Sequence, residues 1–105
     1  MFARNVSLCL KPNTLSEFTR VFDKEVIPML RKQSGFRDEI IFVVPGGLKL
    51  VAISLWDTKE HAEAYKTAGY PAVLKILHKV LDGTPKVQVS DVISSTIHKP
   101  AAVAA

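Results

Sequence analysis

The chain has 105 residues, of which 48% are hydrophobic and 23% are charged, with a formal net charge of +4; this suits one folded domain and excludes a disordered chain. Its lysines and arginines are scattered and are not interleaved with aromatic residues, so we expect no nucleic-acid partner. It has no signal-peptide pattern and no apolar stretch long enough to cross a bilayer, and its single cysteine, Cys9, excludes an internal disulfide, so we expect a cytoplasmic protein without membrane contact.

Residues 3–10 predict a half-buried strand, because apolar and polar side chains alternate there. Val6 and Leu8 fall on one face of this strand, and Asn5 and Cys9 fall on the other. We expect one of the two faces to be buried.

A helix is predicted next, because Thr14 and Glu17 have the spacing of a capping box, in which both side chains bond free amides at the helix start. Apolar residues then recur every three or four positions and form one stripe that includes Phe22. Pro28 lacks an amide hydrogen, so the helix is expected to kink or tighten near Val26.

The middle of the chain predicts a β-hairpin. Residues 39–44 and 48–56 are rich in β-branched and aromatic side chains, and a Pro-Gly-Gly turn separates them. Both segments are apolar at nearly every position, which indicates burial on both faces of the sheet.

A second helix is predicted to begin with Asp57 in a cap pattern and to be interrupted at Gly69. Residues 86–97 predict a long final strand, and a change of phase in its apolar pattern indicates a bulge or bend. Residues 100–105 predict a loose tail, so the single domain is expected to span residues 1–99.

The predicted order of strand, helix, strand, strand, broken helix and strand is that of the ferredoxin-like βαββαβ fold. This α+β architecture has an antiparallel sheet with helices on one face only. The other face of the apolar hairpin then needs a cover, so we expect a homodimer in which two sheets pack face to face.

Three short segments resemble the antibiotic-biosynthesis monooxygenase superfamily: the first strand with Asn5, the sequence Gln33-Ser34-Gly35-Phe36, and the sequence Ser54-Leu55-Trp56-Asp57. The resemblance spans about residues 3–99 and implies a dimeric α+β barrel with a cavity between each sheet and its helices. It also implies a small-molecule enzyme, namely a monooxygenase that works without metal or other cofactor on an aromatic or polyketide-like compound.

The resemblance places Asn5, Tyr65 and His78 as candidate catalytic residues at that cavity. The amide of Asn5 offers two donors and one acceptor, which suits holding a ligand or dioxygen. Tyr65 stands where the haem-degrading branch has a tryptophan. That branch also needs a histidine where this chain has Lys75, with His78 three residues later, so haem binding is the least favoured alternative.

Trp56, Cys9 and Phe22 are the candidate contacts for a small hydrophobic or aromatic ligand. Other roles stay open: Trp56 fits a core position, Cys9 fits a small buried position, and Asn5 fits a solvated strand face. The sequence offers no acid and base pair with visibly opposed environments. A non-catalytic dimeric protein for ligand binding or stress response is therefore the alternative function.

Overall fold

The computed structural model describes residues 1–98, and the predicted tail, residues 100–105, lies outside the described residues. The elements in chain order are β1 (Phe2–Cys9), α1 (Leu15–Val21), a π-helical segment (Phe22–Val26), α2 (Ile27–Arg31), β2 (Phe36–Val43), β3 (Lys49–Trp56), α3 (Lys59–Ala68), α4 (Tyr70–Leu77) and β4 (Lys86–Asp91). The four strands form one antiparallel sheet in the order β2-β3-β1-β4. The predicted ferredoxin-like α+β fold is confirmed.

The core lies between the sheet and the helices, which pack on one face of it. Every second residue of β1 and β3 is buried, as the pleat of a strand requires. Trp56, Phe18 and Leu30 are among the largest fully buried side chains. Within the described part of the chain, no helix has both the length and the apolar character needed to cross a membrane.

The first helix differs from its prediction at its start. The Thr14 hydroxyl donates to the carbonyl oxygen of Lys11, 2.7 Å away, and makes no cap bond to the helix, so the predicted capping box is wrong. The helix is irregular near Val26, where a kink or tightening was predicted, but the predicted tightening is wrong: a π-helical segment, which is wider than an α-helix, ends at Val26 just before Pro28 in the first turn of α2. Such segments are rare and often accompany functional sites.

The second helical region is interrupted at Gly69, as predicted, but the residue that caps it is Thr58 and not Asp57. The Thr58 hydroxyl accepts a hydrogen bond from the backbone amide of His61 at 3.1 Å. Asp57 instead forms an ion pair with Arg37. Threonine and aspartate are both favoured at the N-cap of a helix, so the sequence alone does not show which of two adjacent residues caps it.

Replacing Thr58 with alanine is expected to lower the free energy of unfolding by about 1 kcal/mol, because the amide that it caps loses its partner. Urea denaturation followed by circular dichroism measures this. Thr67→Ala is the matched control, since the Thr67 hydroxyl bonds a carbonyl inside the same helix and alanine is the better helix former there. An equal loss of stability in both variants would refute the cap.

The predicted bend in the last strand is wrong, because β4 ends at Asp91 and pairs with β1 without interruption. The irregularity lies in β2, where the pairing with β3 shifts between Phe36 and Asp38. Arg37 is the extra residue of this β-bulge. Beyond the bulge the faces of β2 are exchanged, so that Glu39 lies on the side that faces the helices.

The face of the sheet that the helices leave uncovered is called the open face. Strand alternation and register assign to it Ala3, Asn5, Ser7 and Cys9 of β1, Asp38, Ile40 and Phe42 of β2, Lys49, Val51, Ile53 and Leu55 of β3, and Lys86, Gln88 and Ser90 of β4. Apart from Asp38 and Lys49 near the strand ends, its β2 and β3 side is apolar, and Phe42 is 52% exposed. The apolar surface predicted for the second side of the hairpin is therefore present.

Candidate active site

A row of polar residues crosses the helix-facing side of the sheet. Arg4 in β1 pairs with Ser54 in β3, and Ser54 pairs with Glu39 in β2. Paired residues of antiparallel strands share a face, so the three side chains stand side by side among apolar neighbours. Arg4 and Ser54 are the buried polar residues of the core.

Arg4 is the most unusual of the three, because its side chain is enclosed yet unpaired. The residue is 2% exposed, and its two terminal nitrogens, Nη1 and Nη2, find no hydrogen-bond partner among residues 1–98. Its guanidinium carbon lies 4.4 Å from the ring centre of Tyr70 and 5.1 Å from that of Tyr65. Cation–π contacts of this kind offset part of the cost of burial but leave both nitrogens able to donate.

The charges around the row favour a bound anion. Burial lowers the pKa of Arg4, yet a guanidinium remains protonated at neutral pH. Burial raises the pKa of Glu39 to about 8, against the opposing attraction of Arg4. Burial also raises the pKa of Tyr65 and of Tyr70. At neutral pH the carboxyl and both phenols are mainly uncharged, so the site carries a net positive charge.

The row opens into a cavity of about 40 Å³ between the sheet and the helices. Its walls are mostly apolar, and they include Arg4, Glu39, Phe22, Tyr65, Tyr70 and Leu77. That volume holds a water or a small anion and is far below the roughly 300 Å³ of a pocket for a drug-sized ligand. A larger ligand has to widen it.

Two grooves flank the cavity and share residues with it. The lysine groove, about 280 Å³, is lined by Phe2, Arg4, Lys59, Lys66, Tyr70 and Val89 among others. The α1 groove, about 370 Å³, is lined by Leu15, Phe18, Phe22, Asp23, Glu39 and Ile41 among others. Arg4 and Tyr70 therefore separate the cavity from one groove, and Phe22 and Glu39 separate it from the other.

Aromatic packing fixes the position of Tyr65. Its ring stacks on Trp56 with 4.8 Å between ring centres, and the Trp56 indole nitrogen donates to the Ser54 hydroxyl at 2.9 Å. Trp56 is fully buried and does not belong to the cavity wall. It holds Tyr65 and Ser54 in place, in agreement with the core role left open for it.

Of the six residues predicted for the site, Tyr65 and Phe22 line the cavity. Asn5 and Cys9 were expected at the same cavity, and that placement is wrong, because both lie on the open face. The strand pleat sends Arg4 inward and its neighbour Asn5 outward. His78 is exposed just beyond α4 and is not among the residues that line the cavity.

The haem alternative does not fit these residues. Axial ligation needs an imidazole aimed at the iron, and the described residues that line the cavity include no histidine. Within residues 1–98 there is also no group of three or more histidine, cysteine, aspartate or glutamate side chains able to hold a metal ion.

Sequence reasoning missed Arg4, Glu39 and Tyr70. Arg4 had a usable signal, since it stands in phase with the apolar residues Val6 and Leu8 and so had to point into the core. Glu39 had none, because its inward direction depends on the bulge in β2.

Glu39 makes the stability of the fold depend on pH. Its pKa of about 8 in the folded chain lies above that of an unfolded carboxyl, so the folded state holds a proton that the unfolded state releases. Stability should therefore fall as pH rises from about 4.5 to 8 and then level off. Urea unfolding should show that the free energy of unfolding falls less between pH 5 and pH 9 for Glu39→Gln than for the wild type. Glu60→Gln, at an exposed position, should leave the loss unchanged, and equal losses in all three proteins would contradict the assignment.

Comparison with solved structures finds close similarity of fold at low identity. A protein of unknown function from Nitrosomonas europaea has a TM-score of 0.75 at 16% identity, with 96% of this chain and 95% of that chain covered. A monooxygenase from Streptomyces coelicolor, solved with nanaomycin D, has a TM-score of 0.75 at 16% identity, covering 93% and 92%. A variant of SnoaB, a cofactor-independent oxygenase from Streptomyces nogalater, has a TM-score of 0.72 at 15% identity, covering 92% and 97%.

No family model and no curated protein matches the chain. The similarity is therefore one of fold, and the class it defines is the ferredoxin-like α+β domain with a cavity between sheet and helices. More particularly, the fold is that of the antibiotic biosynthesis monooxygenases, and the resemblance predicted from the sequence is confirmed at that level.

Proposed function

We propose that the chain is a small-molecule enzyme of the cofactor-independent monooxygenase type, acting on an acidic aromatic or polyketide-like compound in the cavity beside Arg4. The observation that carries the proposal is the buried guanidinium, whose two terminal nitrogens have no partner among residues 1–98. Burying a charge without a partner costs several kcal/mol, of the order of 3–5, so a fold keeps such a group where a ligand supplies the partner.

A buried cation favours the deprotonated form of a bound phenol or enol. Arg4 donates to the oxygen of the bound compound and stabilises its anion, while the faces of Tyr65 and Tyr70 limit where a flat ring can lie. An electron-rich anion of this kind can react with dioxygen directly. When a ring methylene becomes a ketone, one oxygen atom enters the carbon, and the other leaves as water with the two hydrogens.

Entry of a ring system needs the cavity to merge with a groove. The lysine groove is the better entrance for an anion, because Arg4, Lys59 and Lys66 line it against one carboxylate, Glu63, which lies 3.9 Å from the Lys59 ammonium. Tyr70 separates the two spaces and immediately follows Gly69, the break between α3 and α4. A shift of α4 at this break would widen the cavity toward the groove.

The proposal includes a homodimer that covers the open face. Phe42 and Ile40 are exposed there next to the apolar side chains of β3, and a second copy of the same sheet offers a matching surface. Cys9 is a free and exposed thiol on this face, which agrees with a reducing, cytoplasmic setting.

Oxygen uptake tests the function. We expect one or more members of a panel of phenols, quinols and anthrone-like ketones to cause enzyme-dependent oxygen consumption, undiminished by a metal chelator. Asn5→Ala should retain this activity, because Asn5 lies on the open face and away from the cavity. Compounds that bind without causing oxygen uptake would favour the non-catalytic alternative. Loss of oxygen uptake in Asn5→Ala would indicate that the site lies on the open face.

A further inference from the structure

We propose that Glu39 and Arg4 form a base and oxyanion pair that transfers protons on a bound ketone, giving the cavity a keto–enol isomerase activity that needs no dioxygen. The inference rests on the cavity of the proposed function but not on its reaction with oxygen. No other residue pair in the described chain brings a carboxyl and an unpaired guanidinium to one apolar cavity wall.

The register of the sheet sets the spacing of the pair. Arg4 and Glu39 lie two strands apart with Ser54 between them, which separates their backbones by about 10 Å. Both side chains line the cavity, and the terminal nitrogens of Arg4 make no hydrogen bond to the Glu39 carboxyl. Once the cavity of about 40 Å³ is widened as in the proposed function, a ketone bound between the two residues would direct its oxygen to Arg4 and its neighbouring carbon to Glu39.

The proton transfer is balanced without a further reactant. The Glu39 carboxylate forms an O–H bond to a proton from the carbon next to the carbonyl. The electron pair of the broken C–H bond moves into a carbon–carbon double bond, and the carbonyl oxygen takes the negative charge beside Arg4. Return of the proton to the same carbon, or to another along the conjugated chain, completes exchange or isomerisation.

Several charged or titratable groups face Glu39 from the surrounding elements. Arg4 faces it from β1, Tyr65 and Tyr70 lie beyond Arg4 on α3 and α4, and Asp23 of the π-helical segment shares the α1 groove with it. Burial raises the pKa of Glu39 to about 8 and Arg4 draws it back toward its ordinary value. A base with a pKa near the working pH is both available and strong, so the rate should rise with pH and level off above about 8.

The backbone supports a functional role for Glu39. The bulge at Arg37 turns Glu39 inward, and without it the residue on this side would be Asp38, whose side chain is shorter by one methylene group. Bulges often stand next to active sites, where they redirect one side chain. A carboxyl in an apolar cavity wall lowers the stability of the fold, and a role in proton transfer would explain why the chain keeps it.

The test is hydrogen–deuterium exchange of 2-tetralone, an aromatic ketone with acidic C–H bonds, by the full chain in D₂O under argon, followed by proton NMR. We expect catalysed loss of the signal of the protons next to the carbonyl. Glu39→Gln and Arg4→Met should each reduce the catalysed rate about 100-fold or more, and Glu60→Gln, at an exposed site on α3, should not change it. The wild-type rate should rise with pH up to about 8.

The outcomes separate this inference from the proposed function. Exchange that is absent in the wild type, or equal in Glu39→Gln and wild type, overturns the inference even if oxygen uptake is observed. Exchange that depends on Glu39 supports it even if no compound causes oxygen uptake, in which case the oxygenase proposal alone fails. Glu39→Gln keeps the shape of the side chain and removes a half-buried acid, and a thermal melt checks that the variant is folded.

Discussion

Replacing Arg4 with methionine is expected to reduce turnover and anion binding strongly while leaving the fold as stable as the wild type or more stable. Methionine fills a similar volume without charge, so the aromatic contacts with Tyr65 and Tyr70 keep their packing. Replacing a poorly paired buried charge by an apolar side chain is neutral or stabilising by roughly 1–4 kcal/mol. Loss of function together with undiminished stability is the signature of a residue kept for its ligand.

The size of the functional loss follows from the two donors that disappear. Removing one preorganised donor to an oxyanion costs roughly 100- to 1000-fold in rate, so loss of both should reduce kcat/KM by at least about 100-fold. Arg4→Lys keeps the charge but not the planar pair of donors, so its kcat/KM should lie between those of Arg4→Met and the wild type. Steady-state oxygen uptake and a thermal melt measure both quantities. A marked drop in melting temperature with wild-type kcat/KM would show that Arg4 is structural.

Replacing Phe42 with aspartate is expected to convert the proposed dimer into a monomer. Phe42 is the most exposed aromatic side chain of the open face, and in a symmetric dimer the change places a charge on each of two copies. An unpaired buried charge costs roughly 3–5 kcal/mol, so the dissociation constant should rise by about 1000-fold or more.

The neighbouring residue supplies the control for the dimer. Val43 is 49% exposed, close to the 52% of Phe42, but it lies on the helix-facing side of the same strand. Val43→Asp should therefore leave association unchanged. Sedimentation velocity at micromolar concentration distinguishes the species. A wild-type protein that sediments as a monomer, or equal effects of the two variants, would refute packing through the open face.

The fold was predictable because its signals are local and repeated. Alternation in β1, the apolar hairpin and the break at Gly69 each depend on a few neighbouring residues, and together they define the order of elements. The errors fall where a single residue changes the outcome. Thr58 and Asp57 compete for one cap, and the end of β4 depends on where pairing with β1 stops.

The site was less predictable because its residues meet through the sheet. Asn5 was chosen by resemblance, although the alternation of β1 already placed it opposite Val6 and Leu8, and the same alternation places Arg4 inward. Glu39 could not be placed, because a one-residue bulge exchanges the two faces of β2 and leaves no mark in the local sequence. Tyr65 was placed at the cavity because the resemblance aligned it with a position where the haem-degrading branch has a tryptophan, and Tyr65 does line the cavity.

A structure of the protein with a bound aromatic acid or phenol would show whether Arg4 is the group that binds the ligand's anion. The ligand's acidic oxygen is expected within about 3 Å of Nη1 or Nη2 of Arg4, with its ring against Tyr70 and the cavity opened toward the lysine groove. A ligand bound instead on the open face beside Asn5 and Cys9, with Arg4 still unpaired, would show that Arg4 does not form the binding site.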